Sequence, residues 1–247
     1  MKLKYLYIAL EDEDYRYENL HLTSDFNFQT FFLFNYFSRE IAKVKFETKN
    51  FQFITIRGRK KPSQELVLKE HFKSLEIEIP FDENKYKELY PFINEYPLNG
   101  LLKPILKEEE FNNFLFEMVV EALVKGKKMN ALIPYEFLLN TTLDFKASGF
   151  KNEWLYKSKT FKEFSIKTSL FCKLTCYYFS LELVIEKDKK EIFRKEILKT
   201  LPSSIIYKGE FKEILIENGS LKIIRDDYEK TTLYELPLST IQLISTI

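Results

Sequence analysis

The hydrophobic period of this chain changes twice along its 247 residues, which limits the folds open to it. Near the N-terminus, Val44, Phe46 and Thr48 alternate with Lys43, Lys45 and Glu47, and Leu75, Ile77 and Ile79 with Ser74, Glu76 and Glu78. Late in the chain, Phe179, Leu181, Leu183 and Ile185 alternate with Tyr178, Ser180, Glu182 and Glu186. A period of two marks half-buried strands with one dry and one wet face. In between, Phe111, Leu115, Met118, Val119 and Ala122 recur at helical spacing, opposite Glu117, Glu121 and Lys125. Strands and helices are grouped rather than interleaved as a βαβ arrangement requires. The expected class is α+β, with extensive antiparallel sheet in the N- and C-terminal regions around a central helical segment. We expect one unit over 1–247, or two lobes, reading as β-rich over 1–82, helical over 83–147 and β-rich over 148–247.

Local signals refine this plan. Asp82 suits the N-cap of a helix over 83–95, and Gly126 is a natural stop for the helix that begins at Glu108. A weaker helix runs from Pro134 through Leu139. The aromatic stretch Phe26–Phe37 shows neither period cleanly. Arg57-Gly58-Arg59-Lys60-Lys61-Pro62 reads as a polar turn between antiparallel strands, and Lys187-Asp188-Lys189-Lys190 as a solvated one. The best local signal is Ile214 to Ile223, where Asn218-Gly219 fits a two-residue type I′ turn. That register pairs Glu217 with Ser220, Ile216 with Leu221 and Ile214 with Ile223, and puts the four apolar residues on one face.

Composition excludes more functions than it proposes. The chain has two His, two Cys and six Gly, against 24 Phe and 15 Tyr. Charges balance, 38 basic against 37 acidic, so no global field draws the chain to nucleic acid or anionic lipid. The residue bias is that of translated A/T-rich DNA and points to a low-GC bacterium. The N-terminus lacks the long apolar region and cleavage site of a signal peptide, so a cytoplasmic protein that does not engage membranes is expected. Cys172 and Cys176, four apart on a strand, would stand about 13 Å apart, too far to join. His21 and His71 have no ligand-like spacing to them, so zinc is not expected. No nucleophile elbow, phosphate loop or dinucleotide fingerprint is present, and no two glycines fall within five residues. No cofactor and no catalytic residue is assigned, and the chain is expected not to be an enzyme.

Two charged segments remain as candidate sites. Glu11, Asp12, Glu13 and Asp14, followed by Tyr15 and Tyr17, fit a protein-binding surface, where acids steer the encounter and tyrosines anchor it. The concrete form is an immunity protein that neutralises a bacterial toxin. The alternative is a nucleic-acid-binding or phage-defence component using Arg57, Arg59, Lys60 and Lys61, with Phe51 and Phe53 as stacking faces. A second alternative is a carboxylate- or metal-dependent hydrolase or nuclease around Asp226 and Asp227, joined by Asp144 and Glu153.

Overall fold

The computed structural model describes residues 1–15, 21–91, 105, 107–129 and 131–244. These divide into two compact units, the first reaching Lys151 and the second starting at Asn152.

The first unit runs β1 (Tyr5–Leu10), α1 (Asp12–Tyr15), α2 (Leu22–Val44), β2 (Phe53–Arg59), β3 (Val67–Lys69), β4 (Ser74–Pro80), α3 (Glu83–Leu89), α4 (Glu108–Lys128) and α5 (Tyr135–Ala147). Its sheet has the order β1-β2-β4-β3. Both β1 and β4 run parallel to β2, and only β3 is antiparallel. The α+β class holds, but this sheet is mixed rather than antiparallel, and β1-α2-β2 is a helical crossover between neighbouring parallel strands. The segment Arg57–Pro62 therefore does not join an antiparallel pair.

The difference traces to α2. Its buried residues Leu22, Phe26, Gln29, Thr30, Leu33, Phe37 and Ile41 follow a helical period, while Phe32 is buried off that stripe against Phe145. Extra aromatics on other faces hide that period. Phe34 meets Tyr5 and Tyr7 of β1, while Tyr36 stacks on Phe145 of α5 with centroids 3.9 Å apart. The helix also takes in Lys43 and Val44 of the supposed strand at 43–48, and no strand forms over the rest of that span. Lys45 caps it in the left-handed region at φ 51°, and Glu47 forms an isolated bridge with Lys2.

Parallel register builds the core row by row. Leu6, Ile54 and Leu75 lie abreast, then Ile8, Ile56 and Ile77, and all six are buried. In the third row Gly58 stands between Leu10 and Ile79. A Cβ there would lie 2.7 Å from Leu10 Cδ2 and 3.2 Å from Phe81 Cβ, so the missing side chain is what lets those two close over the strand. Helix α2 lies against β1, and α4 against β2 and β4. The Asp82 cap forms as expected, its Oδ1 accepting from the Lys85 amide at 2.9 Å. That helix is described through Leu89, and the rest of the expected 83–95 span runs into residues outside the description. Gly126 does not stop α4. It lies inside the helix, where a Cβ would come within 3.2 Å of Ile77 Cδ1 on β4, so it serves close packing.

The second unit runs β5 (Glu153–Phe161), β6 (Ile166–Leu174), β7 (Phe179–Lys187), β8 (Lys190–Thr200), α6 (Ser204–Tyr207), β9 (Glu213–Glu217), β10 (Ser220–Ile224), β11 (Thr232–Pro237) and α7 (Leu238–Ile244). Strands β5 to β8 form an antiparallel meander, and β11-β10-β9 a second antiparallel sheet. The β9–β10 register is the expected one, with Asn218 and Gly219 at φ 51° and 75° as a type I′ turn requires. Phe179 stacks on Tyr207 at 3.9 Å and on Phe211 at 5.7 Å, and Leu170, Leu181 and Ile223 are buried in the same unit.

Candidate functional site

The two charged segments singled out in the sequence meet at the C-terminal ends of the parallel strands. The sheet face turned away from the apolar rows carries Thr55, Arg57 and Arg59 on β2, and Ser74, Glu76 and Glu78 on β4. Arg57 Nη2 donates to Glu76 Oε1 at 2.9 Å, and Arg57 Nη1 to the Leu10 carbonyl at 3.3 Å. Arg59 lies 3.2 Å from Glu11, 3.0 Å from Asp14 and 3.5 Å from Glu78. Cations on the central strand are thus flanked by carboxylates on both sides. Alternation made Glu76 and Glu78 a wet face, yet they are only 7% and 8% exposed. Buried carboxylates of this kind demand a partner, which the guanidiniums supply.

The rest of the basic segment is tied down by the same acids. The Lys60 amide donates to Asp14 at 2.9 Å and the Ser63 amide to Glu78 at 2.7 Å. Lys60 Nζ lies over the Tyr15 ring at 5.2 Å. Lys125 of α4 reaches the carbonyls of Ser63 and Glu78. Of the four cations proposed to bind nucleic acid, Lys61 alone lacks a partner among the described residues. Burial pulls the Arg59 pKa down, but Asp14, Glu78 and Glu11 outweigh it and leave it raised.

The acidic segment is likewise divided. Glu11 and Asp14 are held by the arginines, whereas Asp12 and Glu13 are exposed. Tyr15 is buried, edge-on to Phe81 at 5.6 Å, so it belongs to the core rather than to an interface. It shares the single turn of α1 with Asp12, Glu13 and Asp14 but points inward, a direction sequence spacing did not reveal. Tyr17 lies outside the described residues.

Beside the charge network the same face opens into a groove of about 560 Å³. Tyr5, Phe53, Ser74 and Lys69 lie abreast across its first row, and Tyr7, Thr55 and Glu76 across the next. Tyr5 and Phe53 stack at 5.4 Å, and Phe34 leans on Tyr5 at 5.3 Å. The Thr55 and Ser74 hydroxyls are hydrogen-bonded at 2.7 Å. Burial raises the Tyr7 pKa, Arg57 opposes this, and Asp12 adds to it. No sequence pattern pointed to this groove, because its residues come from β1, α2, β2, β3 and β4 and from the turns after β1 and β3.

Among the remaining carboxylate candidates, Asp226 and Asp227 have local partners. Asp226 pairs with Lys212 at 2.5 Å, while Asp227 accepts from the Thr231 amide at 2.8 Å and from its hydroxyl. Asp144 belongs to the first unit and Glu153 to the second. Among the described residues no group of three or more His, Cys, Asp or Glu could hold a metal ion. Cys172 on β6 and Cys176 in the turn beyond it are buried. No described helix is long and apolar enough to cross a membrane.

His21 sits at the N-cap of α2, near Asp25. Burial pushes the Asp25 carboxyl up to about 6, against the opposing pull of His21. A raised carboxyl contributes stability below its unfolded pKa of about 3.9, and that contribution is lost as pH rises through the folded value. Asp25→Asn should therefore gain on the parent between these limits when stability is followed by denaturant titration. Parallel curves for the two proteins would contradict this assignment.

Compared with protein-family models, with curated proteins and with solved structures, the chain matches none.

Proposed function

We propose that the chain is a non-catalytic binder of another protein, and that its docking edge is the exposed acidic side of the charge network. The observation that carries this reading is the imbalance of the cluster. Four carboxylates, from Glu11, Asp14, Glu76 and Glu78, are paired with the guanidiniums of Arg57 and Arg59, and Asp12 and Glu13 stand exposed on the same segment as Glu11 and Asp14. Phosphates approaching these arginines would have to displace carboxylates already bound to them, which disfavours the nucleic-acid reading. Asp12 and Glu13 are exposed on the short helix α1, and Glu11 and Asp14 beside them are pinned, so they meet a partner with little ordering cost. A basic protein surface is the complement, and the cleft of a nucleic-acid-cutting toxin has that chemistry. An immunity protein acting in the cytoplasm is the form this takes.

The test is affinity purification of the tagged full chain from its source organism at low and high salt, beside Asp12→Asn/Glu13→Gln. A single protein retained by the parent, lost by the variant and released by salt is expected. Copurification of nucleic acid without a protein partner would overturn the proposal.

A further inference from the structure

The groove on the open sheet face asks for a ligand different from anything the acidic loop would hold. Its walls carry both signs of charge in equal number, Arg57 and Lys69 against Glu11 and Glu76. A ligand that is only anionic would meet Glu11 and Glu76, and one that is only cationic would meet Arg57 and Lys69. The two signs are ordered in space. Lys69 faces Ser74 across the β3–β4 pair, and Glu76 follows Ser74 on the same face of β4, about 7 Å further along. Between them lies the Thr55–Ser74 hydroxyl pair, in which either oxygen can donate. Lys69 is exposed and has no partner among the described residues. Arg57, by contrast, is already engaged with Glu76 and the Leu10 carbonyl, so Lys69 is the cation open to a newcomer.

Next to this dipolar end stands an aromatic wall of Tyr5, Phe34 and Phe53, with the Phe34 and Phe53 rings 5.3 and 5.4 Å from that of Tyr5. Phe72 stands at the rim, 68% exposed. Ring walls favour planar apolar guests by offset stacking, and they also favour a nearby ammonium. The volume of about 560 Å³ lies in the range of small-molecule sites.

We propose that this groove binds a free aromatic α-amino acid, its ring on the Tyr5–Phe34–Phe53 wall, its carboxylate toward Lys69 and its ammonium toward Glu76, which it would share with Arg57. The groove shares Glu11, Arg57 and Glu76 with the charge network, but neither Asp12 nor Glu13 of the docking edge lines it.

Isothermal titration calorimetry of the full chain with L-phenylalanine and L-tryptophan tests this, with N-acetyl-phenylalanine, phenylalaninamide and adenosine as comparators. The free amino acids should bind, and each capped form should bind about tenfold more weakly, the loss of one charged contact. Lys69→Gln and Phe72→Ala alter exposed side chains and should keep the parent's thermal transition while each weakens binding severalfold. Absence of binding by both amino acids would overturn the proposal. So would equal affinity for the capped forms, binding of adenosine alone, or affinity unchanged in Lys69→Gln.

Discussion

Phe26→Ala is expected to destabilise the first unit by roughly 3–5 kcal/mol, the range for deleting a fully buried phenylalanine. Phe26 is 0% exposed at the heart of the α2 stripe. Its ring lies 5.4 Å from that of Phe81 and 5.6 Å from that of Tyr86, so it joins α2 to the end of β4 and to α3. The Tyr86 hydroxyl in turn donates to Gln29 Oε1 at 2.7 Å, one turn further along α2. Removing the ring therefore opens a cavity and loosens a buried hydrogen bond beside it. Urea titration should show a lower midpoint with an unchanged slope. Phe28→Ala removes a half-buried ring outside the stripe and should cost less than half as much. Equal losses at the two positions would mean that α2 presents a different face to the core.

Arg59→Met should cost about 2 kcal/mol near neutral pH. Breaking a fully buried pair costs roughly 3–5 kcal/mol because a charge is left unmatched. The figure is reduced here because Arg59 and Glu11 each keep about a quarter of their side-chain exposure. What remains in the variant is Glu11, Asp14 and Glu78 gathered around an uncharged side chain. Their mutual repulsion gives the loss a signature that a packing defect would lack. Acidification protonates the stranded carboxylates, and added salt screens them, so the gap between variant and parent should narrow under either condition. A loss of the same size at pH 4 and in high salt would mean that Arg59 acts through its aliphatic stem.

Much of the fold was readable where one local rule governs. The Asn218-Gly219 hairpin came out in register because turn chemistry and apolar alternation require the same pairing. The buried stripe of α4 was equally plain, with polar residues on its other face. Legibility failed where a segment serves more than one neighbour. Helix α2 was opaque because Phe34 and Tyr36 pack sideways onto β1 and α5, filling the positions that a helical pattern leaves polar. Once that helix was missed, the parallel pairing of β1 with β2 was out of reach, since only a crossover makes it possible. Glu76 and Glu78 deceived for a related reason. Alternation reports which face is polar, and here that polar face is shielded by its own ion pairs. The candidate site was half legible: both charged segments were visible, but as rival surfaces. Their union depends on β1 lying beside β2, which brings Glu11 to Arg59 across 48 residues of chain.

The central claim is that union, and a double-mutant cycle on Glu11 and Arg59 tests it most directly. Stabilities of the parent, Glu11→Gln, Arg59→Met and the double variant would be measured by urea unfolding at low salt. If the acidic loop and the basic strand end form one network, the pair should show a coupling of about 1 kcal/mol that shrinks as salt is added. Losses that add to within about 0.3 kcal/mol would leave the two segments as separate patches and contradict the account.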